Sequence, residues 1–251
     1  MGAQTGGDAV AILGKLSRRS ALVLLGTGLA SYTLACAAPN GEPQGGKRPA
    51  AGPEPISLPA PALDGDWPFE KALQSRRSRR DYRQSPLRVS EVGQLLWAAQ
   101  GVTDRASGYR SAPSAGALYP LEVYLAAGDV AGLASGIYRY VPADHALLWL
   151  AAGDRRSELC AAAVGQSPVR AAPAVLVFAG VYARTKAKYG ERGVRYVQME
   201  AGHAAQNVYL QATCLGLGTV VIGAFDDGQV ARILGLPAGE EPLCLLPVGR
   251  V

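Results

Sequence analysis

The pattern that most constrains this chain is a long two-faced helix near its C-terminal end. Over residues 195–217, Val197, Ala201, Ala204, Val208, Ala212 and Leu215 recur at spacings of three and four, the mark of a stripe turned towards a core. Glu200, His203, Asn207 and Gln211 form a second, polar stripe on another face, and Gly216 and Gly218 end the pattern. Such a stripe needs apolar partners, and short runs supply them. Residues 122–127, 174–181, 219–224 and 243–248 read as strands, and 136–141 with 146–151 read as a hairpin about Pro142-Ala143-Asp144-His145. Further helices are expected over 69–74, 90–100, 155–164 and 226–234, the second with Ser90 as N-cap and Gly101 as stop. Helices and strands are mixed without strict alternation, so the fold class is α+β rather than a doubly wound parallel sheet. No internal repeat is present.

The N-terminal end reads as an address. Ser17-Arg18-Arg19 precedes an apolar run from Ala21 to Ala30, which continues to small residues around Cys36. A charged start, a short apolar run and small residues describe an export signal over 1–37, and the paired arginines suggest the twin-arginine route, with an ordinary signal or a simple anchor as the competing readings. Cys36 sits in a segment similar to a lipoprotein box, so removal of the signal and lipid anchoring through Cys36 are both open. Residues 38–68 are rich in proline and glycine and read as a semi-extended linker that buries little. The folded unit is then expected over 69–251, and the protein is expected outside the cytoplasm, periplasmic or envelope-associated.

Composition excludes some chemistries. With 49% hydrophobic and 18% charged residues the chain is not disordered overall. Two histidines, and four cysteines with no C-x-x-C, argue against a zinc site and against a disulfide scaffold, and no metal site is expected. Glu200 and His203 have a spacing used in carboxylate-bridged metal sites, but no second such pair exists, so His203 reads as a hydrogen-bonded structural histidine. Cys160, Cys214 and Cys244 read as buried core thiols.

Four features carry chemistry. Arg76-Arg77-Ser78-Arg79-Arg80 suits a phosphate, because guanidinium binds phosphate bidentately. A solvated basic patch is the bland reading. Nucleic acid is the weakest, since no further basic clusters or aromatics are interleaved. The small residues of Pro113-Ser114-Ala115-Gly116-Ala117 let a flat ligand approach the backbone, as do those of Val221-Ile222-Gly223-Ala224. Lys188-Tyr189 could act as a base and an acid, or be plain loop surface.

Taken together, Arg76-Arg77-Ser78-Arg79-Arg80-Asp81-Tyr82, Leu95-Leu96-Trp97-Ala98-Ala99-Gln100-Gly101 and Pro113-Ser114-Ala115-Gly116-Ala117-Leu118-Tyr119-Pro120 resemble the nitroreductase-like flavoproteins, most nearly the SagB/thiazole-oxidase type of dehydrogenase. Glu200-Ala201-Gly202-His203-Ala204-Ala205-Gln206-Asn207, the strand over 218–225 and Leu246-Pro247-Val248-Gly249-Arg250 fit the same family in the same order. The resemblance implies a mainly antiparallel central sheet flanked by helices, an obligate homodimer, and FMN at the dimer interface. Arg76, Arg77, Ser78 and Arg80 would hold the flavin phosphate, with Arg250 returning to it from the chain end. Pro113, Ser114, Ala115 and Gly116 would lie along the isoalloxazine ring. Val221, Ile222, Gly223 and Ala224 would cover its other side, with a backbone N–H near N5. Ala117 and Tyr119 stand where many nitroreductases carry asparagine and glutamine, a departure shared with the SagB-type branch. That branch uses a Lys-Tyr pair, matched by Lys188 and Tyr189, which would assist proton removal while hydride passes to flavin N5. The implied activity is hydride transfer between the flavin and a small or peptide-derived substrate, with NAD(P)H or an envelope donor as the source of electrons. A non-catalytic flavin- or ligand-binding envelope protein on the same fold is the competing function, and a lipid-anchored structural protein a third.

Overall fold

The computed structural model describes residues 54–251, in which the apolar runs become one large sheet with helices on both faces. β1 (Ile56–Ser57), α1 (Phe69–Ser75), β2 (Leu87–Arg88), α2 (Val89–Gln100), β3 (Val102–Asp104) and β4 (Tyr109–Arg110) come first, then a 3-10 turn at Ala115–Ala117 and β5 (Leu121–Ala127). β6 (Val130–Ala131), β7 (Gly136–Val141), β8 (Ala146–Ala152), α3 (Arg156–Ala162), α4 (Ser167–Ala171) and β9 (Ala174–Gly180) follow. α5 (Tyr182–Tyr189), α6 (Arg192–Cys214), β10 (Leu217–Thr219), α7 (Asp227–Leu234) and β11 (Glu241–Arg250) close the chain. Seven strands form the main sheet in the order β1-β8-β7-β5-β9-β11-β10, every neighbour antiparallel. The expected α+β class and antiparallel sheet are what the chain adopts.

The sheet separates two cores. Val123, Leu125 and Phe178 pack with Leu95 and Leu96 of α2 and with Val197, Ala204 and Val208 of α6. Tyr124, Val175 and Val177 turn the other way, onto Leu159 of α3, Val169 of α4 and Val230 of α7. Cover on both faces is why β9 is an unbroken apolar run instead of an alternating one. The α6 stripe is as read for Val197, Ala201, Ala204, Val208 and Ala212, all buried, while Leu215 is half-buried and caps the helix.

Several boundaries differ, each for a physical reason. α2 begins at Val89, not Ser90, because Glu91 accepts the Arg88 backbone N–H at 2.8 Å and so caps the first turn. α5 occupies what read as a polar segment; its only buried residue is Thr185, so it carries no stripe to read. It packs against α6 where a Cβ on Gly193 would lie 2.8 Å from the Lys186 backbone nitrogen, so only glycine fits. The strand expected over 219–224 stops at Thr219, because the Val221 amide donates to the Tyr209 hydroxyl at 2.8 Å instead of to a neighbouring strand. Ile222 alone rejoins the sheet, at Leu245.

The end of the proline-rich stretch is not the free linker expected. Ile56–Ser57 pairs with β8, Leu58 is buried and donates its N–H to His145 O at 3.0 Å, and Ala62 exchanges backbone hydrogen bonds with the Gln94 amide. An uncovered β8 edge would leave its backbone groups unpaired, and a few residues between prolines suffice to take them. The expected signal over 1–37, with Cys36, and the start of the linker lie outside the described residues.

Candidate active site

Two clusters gather the residues singled out in the sequence. The first forms where the chain leaves α1 and runs beside β10. Ser78 bridges to Thr219, and Arg79 N–H donates to Thr219 O at 2.9 Å. The Tyr82 hydroxyl lies 3.0 Å from Arg79 O and 3.1 Å from Pro247 O, and its ring packs on Gly249, which pins the arginine segment to β11. Tyr209 of α6 draws the cluster together: its hydroxyl is 3.1 Å from Ser78 Oγ and accepts the Val221 N–H, and the Arg76 guanidinium lies 5.1 Å from its ring centroid. Arg80 is exposed in the same segment, whereas Arg77 donates to the carbonyls of Gln74 and Arg76, both at 2.8 Å. Beside Tyr209, Val221 and Gly223 a cavity of about 550 Å³ opens against Ala201, Gly202 and Gln206 of α6.

The second cluster is built on backbone strain. Gly116, Ala117 and Tyr119 have φ of 64°, 55° and 46°. Positive φ costs a non-glycine residue about 1 kcal/mol or more, so the surroundings must over-determine it. They do. Tyr119 N–H donates to Ser114 Oγ at 2.9 Å, Arg184 Nη1 donates to Tyr119 O at 3.0 Å, and Arg110 N–H donates to the Tyr119 hydroxyl at 3.1 Å. The Arg110 guanidinium also sits 4.5 Å from the Tyr119 ring centroid. The strained turn brings Gly116 against the end of α5, where a Cβ would fall 2.8 Å from Tyr189 Oη and 2.9 Å from Lys188 Nζ. Lys188 and Tyr189 thus converge on the loop predicted to meet a flat ligand.

Beneath this loop Glu200 is 2% exposed. Burial pushes its carboxyl up to about 7, against the opposing influence of Ser114, Arg110 and Gln100. Burial likewise lowers Arg110, which donates to Gln100 Oε1 at 3.0 Å.

Other expectations need correction. The Arg250 side chain does not reach the arginine segment; its guanidinium is bound to buried Glu91, at 2.9 Å and 3.1 Å, because α2 places that carboxylate beside the end of β11. His203 is exposed, with no hydrogen bond among the described residues, so it is not a bonded structural histidine. Cys160 and Cys244 are buried, but Cys214 only partly. Tyr209, Arg110 and Arg184 were missed. No local pattern marks them, since each matters only through a partner far away in sequence.

The two clusters are centred at different levels of α6, although Asn207 donates to Ser111 O at 3.2 Å just before the strained loop. Tyr189 stacks edge-on against Tyr196, at 5.1 Å between ring centroids, while Ser78 and Val221 bond Tyr209. These two tyrosines are thirteen positions apart, about 20 Å along the axis of α6, and the strained loop lies between their levels, over Glu200. The residues of the first fit FMN by their chemistry: guanidinium and hydroxyl donors for a phosphate, then an exposed edge, Val221, Gly223 and Ala224, for a flat ring. A Cβ on Gly223 would meet nothing within 4 Å, so that edge is open.

The Nitroreductase family model matches residues 73–250. A Methanocaldococcus jannaschii protein described as a nitroreductase is 49% identical over 182 residues, 72% of this chain and 90% of its own length. The Escherichia coli microcin B17-processing protein McbC is 32% identical over 155 residues, 60% of this chain and 57% of its own length. Among solved structures, a Ralstonia eutropha protein also described as a nitroreductase superposes with a TM-score of 0.69 at 34% identity, covering 78% of this chain and 89% of that one.

Proposed function

The chain belongs to the nitroreductase family, resembling within it the SagB-type branch, and from that membership we propose that this oxidoreductase is FMN-dependent and works as a homodimer with the flavin shared between its two chains. The observation that carries the reading is the convergence of Lys188 Nζ and Tyr189 Oη on Gly116. When bound, the flavin supplies a two-electron centre that accepts or returns hydride. Arg76, Arg80 and Ser78 hold its phosphate, assisted by Tyr209, which the sequence did not mark. Val221 to Ala224 cover one side of the ring. Pro113 to Gly116 of the partner chain lie along the other, since in its own chain this loop is seated over Glu200, about 13 Å along α6 from Tyr209. Lys188 and Tyr189 handle the substrate proton, Lys188 exposed enough to exchange it with solvent and Tyr189 held by Tyr196.

The likeness to a microcin B17-processing protein supports a peptide-derived substrate over a small one. The folded unit begins at β1, and the segment before it carries export to the envelope. Electrons come from NAD(P)H or from an envelope donor, which bleaching by NADH and NADPH distinguishes. The deciding experiment is the absorption spectrum of the purified protein with identification of the released flavin. A yellow dimer that Arg76→Ala with Arg80→Ala renders colourless supports the reading. Unchanged flavin content in that variant overturns the phosphate assignment. A colourless wild type that refuses added FMN leaves a fold kept without its chemistry.

A further inference from the structure

We infer that Glu200 is the positioning residue of the loop from Ser114 to Tyr119: its buried carboxyl accepts the Ser114 hydroxyl, and through that bond keeps Gly116 seated at Lys188 and Tyr189. The functional consequence rests on the Lys188 and Tyr189 reading above; the placement of the loop does not.

Hydrogen-bond accounting leads to Glu200. Ser114 Oγ already accepts the Tyr119 N–H at 2.9 Å, so its own hydrogen needs another acceptor. The buried acceptor facing Ser114 is the Glu200 carboxyl, whose Oε1 has no partner among the described residues. Gln100 Nε2, a donor facing the same carboxyl, is also without one. Leaving a buried polar atom unpaired is costly, so small rotations that join Ser114 and Gln100 to Glu200 are favoured. One polar chain then runs Gln100, Glu200, Ser114, Tyr119. Arg110 closes it from β4, bonding Gln100 with its side chain and Tyr119 with its backbone. The chain ends on a non-glycine residue at φ 46°, where such over-determination is required.

The charged group facing Glu200 is Arg110, on which Glu122 and Arg184 in turn act with opposite sign; His203, on Glu200's own helix, is exposed. With the loop seated, burial holds the carboxyl near 7; with the loop swung out into water it returns towards its ordinary 4.5. The seated loop therefore binds the proton more tightly, and opening becomes easier as pH climbs from the open-state value of 4.5 to the seated value near 7, levelling off above it.

Hydrogen exchange of the Tyr119 amide in the intact protein tests this, with rates corrected for intrinsic base catalysis. Wild type is expected to open more readily as pH rises from about 5 to 7, by up to about tenfold per pH unit, and to level off above about 7. Glu200→Gln, which keeps an acceptor and cannot ionise, should hold the low-pH protection throughout. Glu200→Ala and Ser114→Ala should each exchange at least about tenfold faster at pH 6, and the double variant no faster than either, because both cut one link. Wild-type exchange in both single variants, or a pH response in Glu200→Gln like that of wild type, overturns the inference. If Glu200→Ala does not fold, Ser114→Ala alone decides the pH 6 arm. Flavin content measured on the same samples separates the two readings: a colourless protein whose loop responds as described removes the flavin assignment and leaves this one standing.

Discussion

At the scale of single residues, the candidate site depends on Gly116. Its φ of 64° suits glycine, and the Cβ of an alanine would press on the far ends of two flexible side chains. Those ends can move, so the stability cost comes from the backbone and should be about 1 kcal/mol. The functional cost should be larger, because the atoms displaced are Lys188 Nζ and Tyr189 Oη. Gly116→Ala is expected to melt only a few degrees lower yet lose at least about tenfold in turnover; melting curves beside a rate assay check it. Glu91 shows the opposite, structural use of a buried carboxylate. Burial alone would raise it, but hydrogen bonds from Arg88 and the charge of Arg250 outweigh that and lower it. Its stabilisation is full above the ordinary value of 4.5 and is lost as pH falls through the lowered, folded value. Glu91→Gln should cost about 1.5–3 kcal/mol near pH 7, with the gap to wild type closing in acid, as denaturant titrations at several pH values would reveal. Gly116 and Lys188 were legible in the sequence. The partner of Arg250 was not, because nothing local says which carboxylate a terminal strand will end beside.

At the scale of elements, periodicity was legible where an element has a covered face. β5, β9, the β7–β8 hairpin and α6 announce themselves in this way. α5 does not, because it buries Thr185 alone. β1 is shorter still, two residues held by the β8 edge and by His145. Pro59 O can only accept, so His145 Nε2 carries the hydrogen across their 2.9 Å contact, and neutral Nδ1 accepts from the Tyr140 hydroxyl at 2.9 Å. A chain beginning at Asp66 loses the burial of Leu58 and bares β8. It should be less stable by about 1.5–3 kcal/mol and prone to self-association, seen by melting and light scattering. Burial depresses the His145 imidazole, so the hold on β1 is complete above the ordinary 6.5 and is lost as pH falls through the lowered, folded value. Exchange of the Leu58 amide should rise accordingly.

At the scale of the whole molecule, the candidate residues are spread along α6. One chain offers the arginines, Tyr209 and the Val221 edge towards its C-terminal end, Lys188 and Tyr189 at its start, and the strained loop over Glu200 between them. If two chains complete each other, Arg76→Ala with Arg80→Ala and Lys188→Ala, each inactive alone, should regain about a quarter of wild-type activity when mixed and allowed to exchange, since half the dimers would hold one intact site of two. Two inactive variants that stay inactive after exchange would mean that one chain builds the whole site. The sequence by itself determined the α+β class, the central strands and the long helix, and marked candidate residues for a phosphate and a flat ligand. Covered elements leave a period and anionic or flat ligands demand particular side chains, both written locally. Only the tertiary structure decided which of those residues meet. Tyr209 joining Ser78 to Val221, Glu91 capturing Arg250 and Gly116 receiving Lys188 and Tyr189 are contacts between segments far apart in the chain. Such contacts are set by how helices pack across a sheet, and no run of neighbouring residues encodes that.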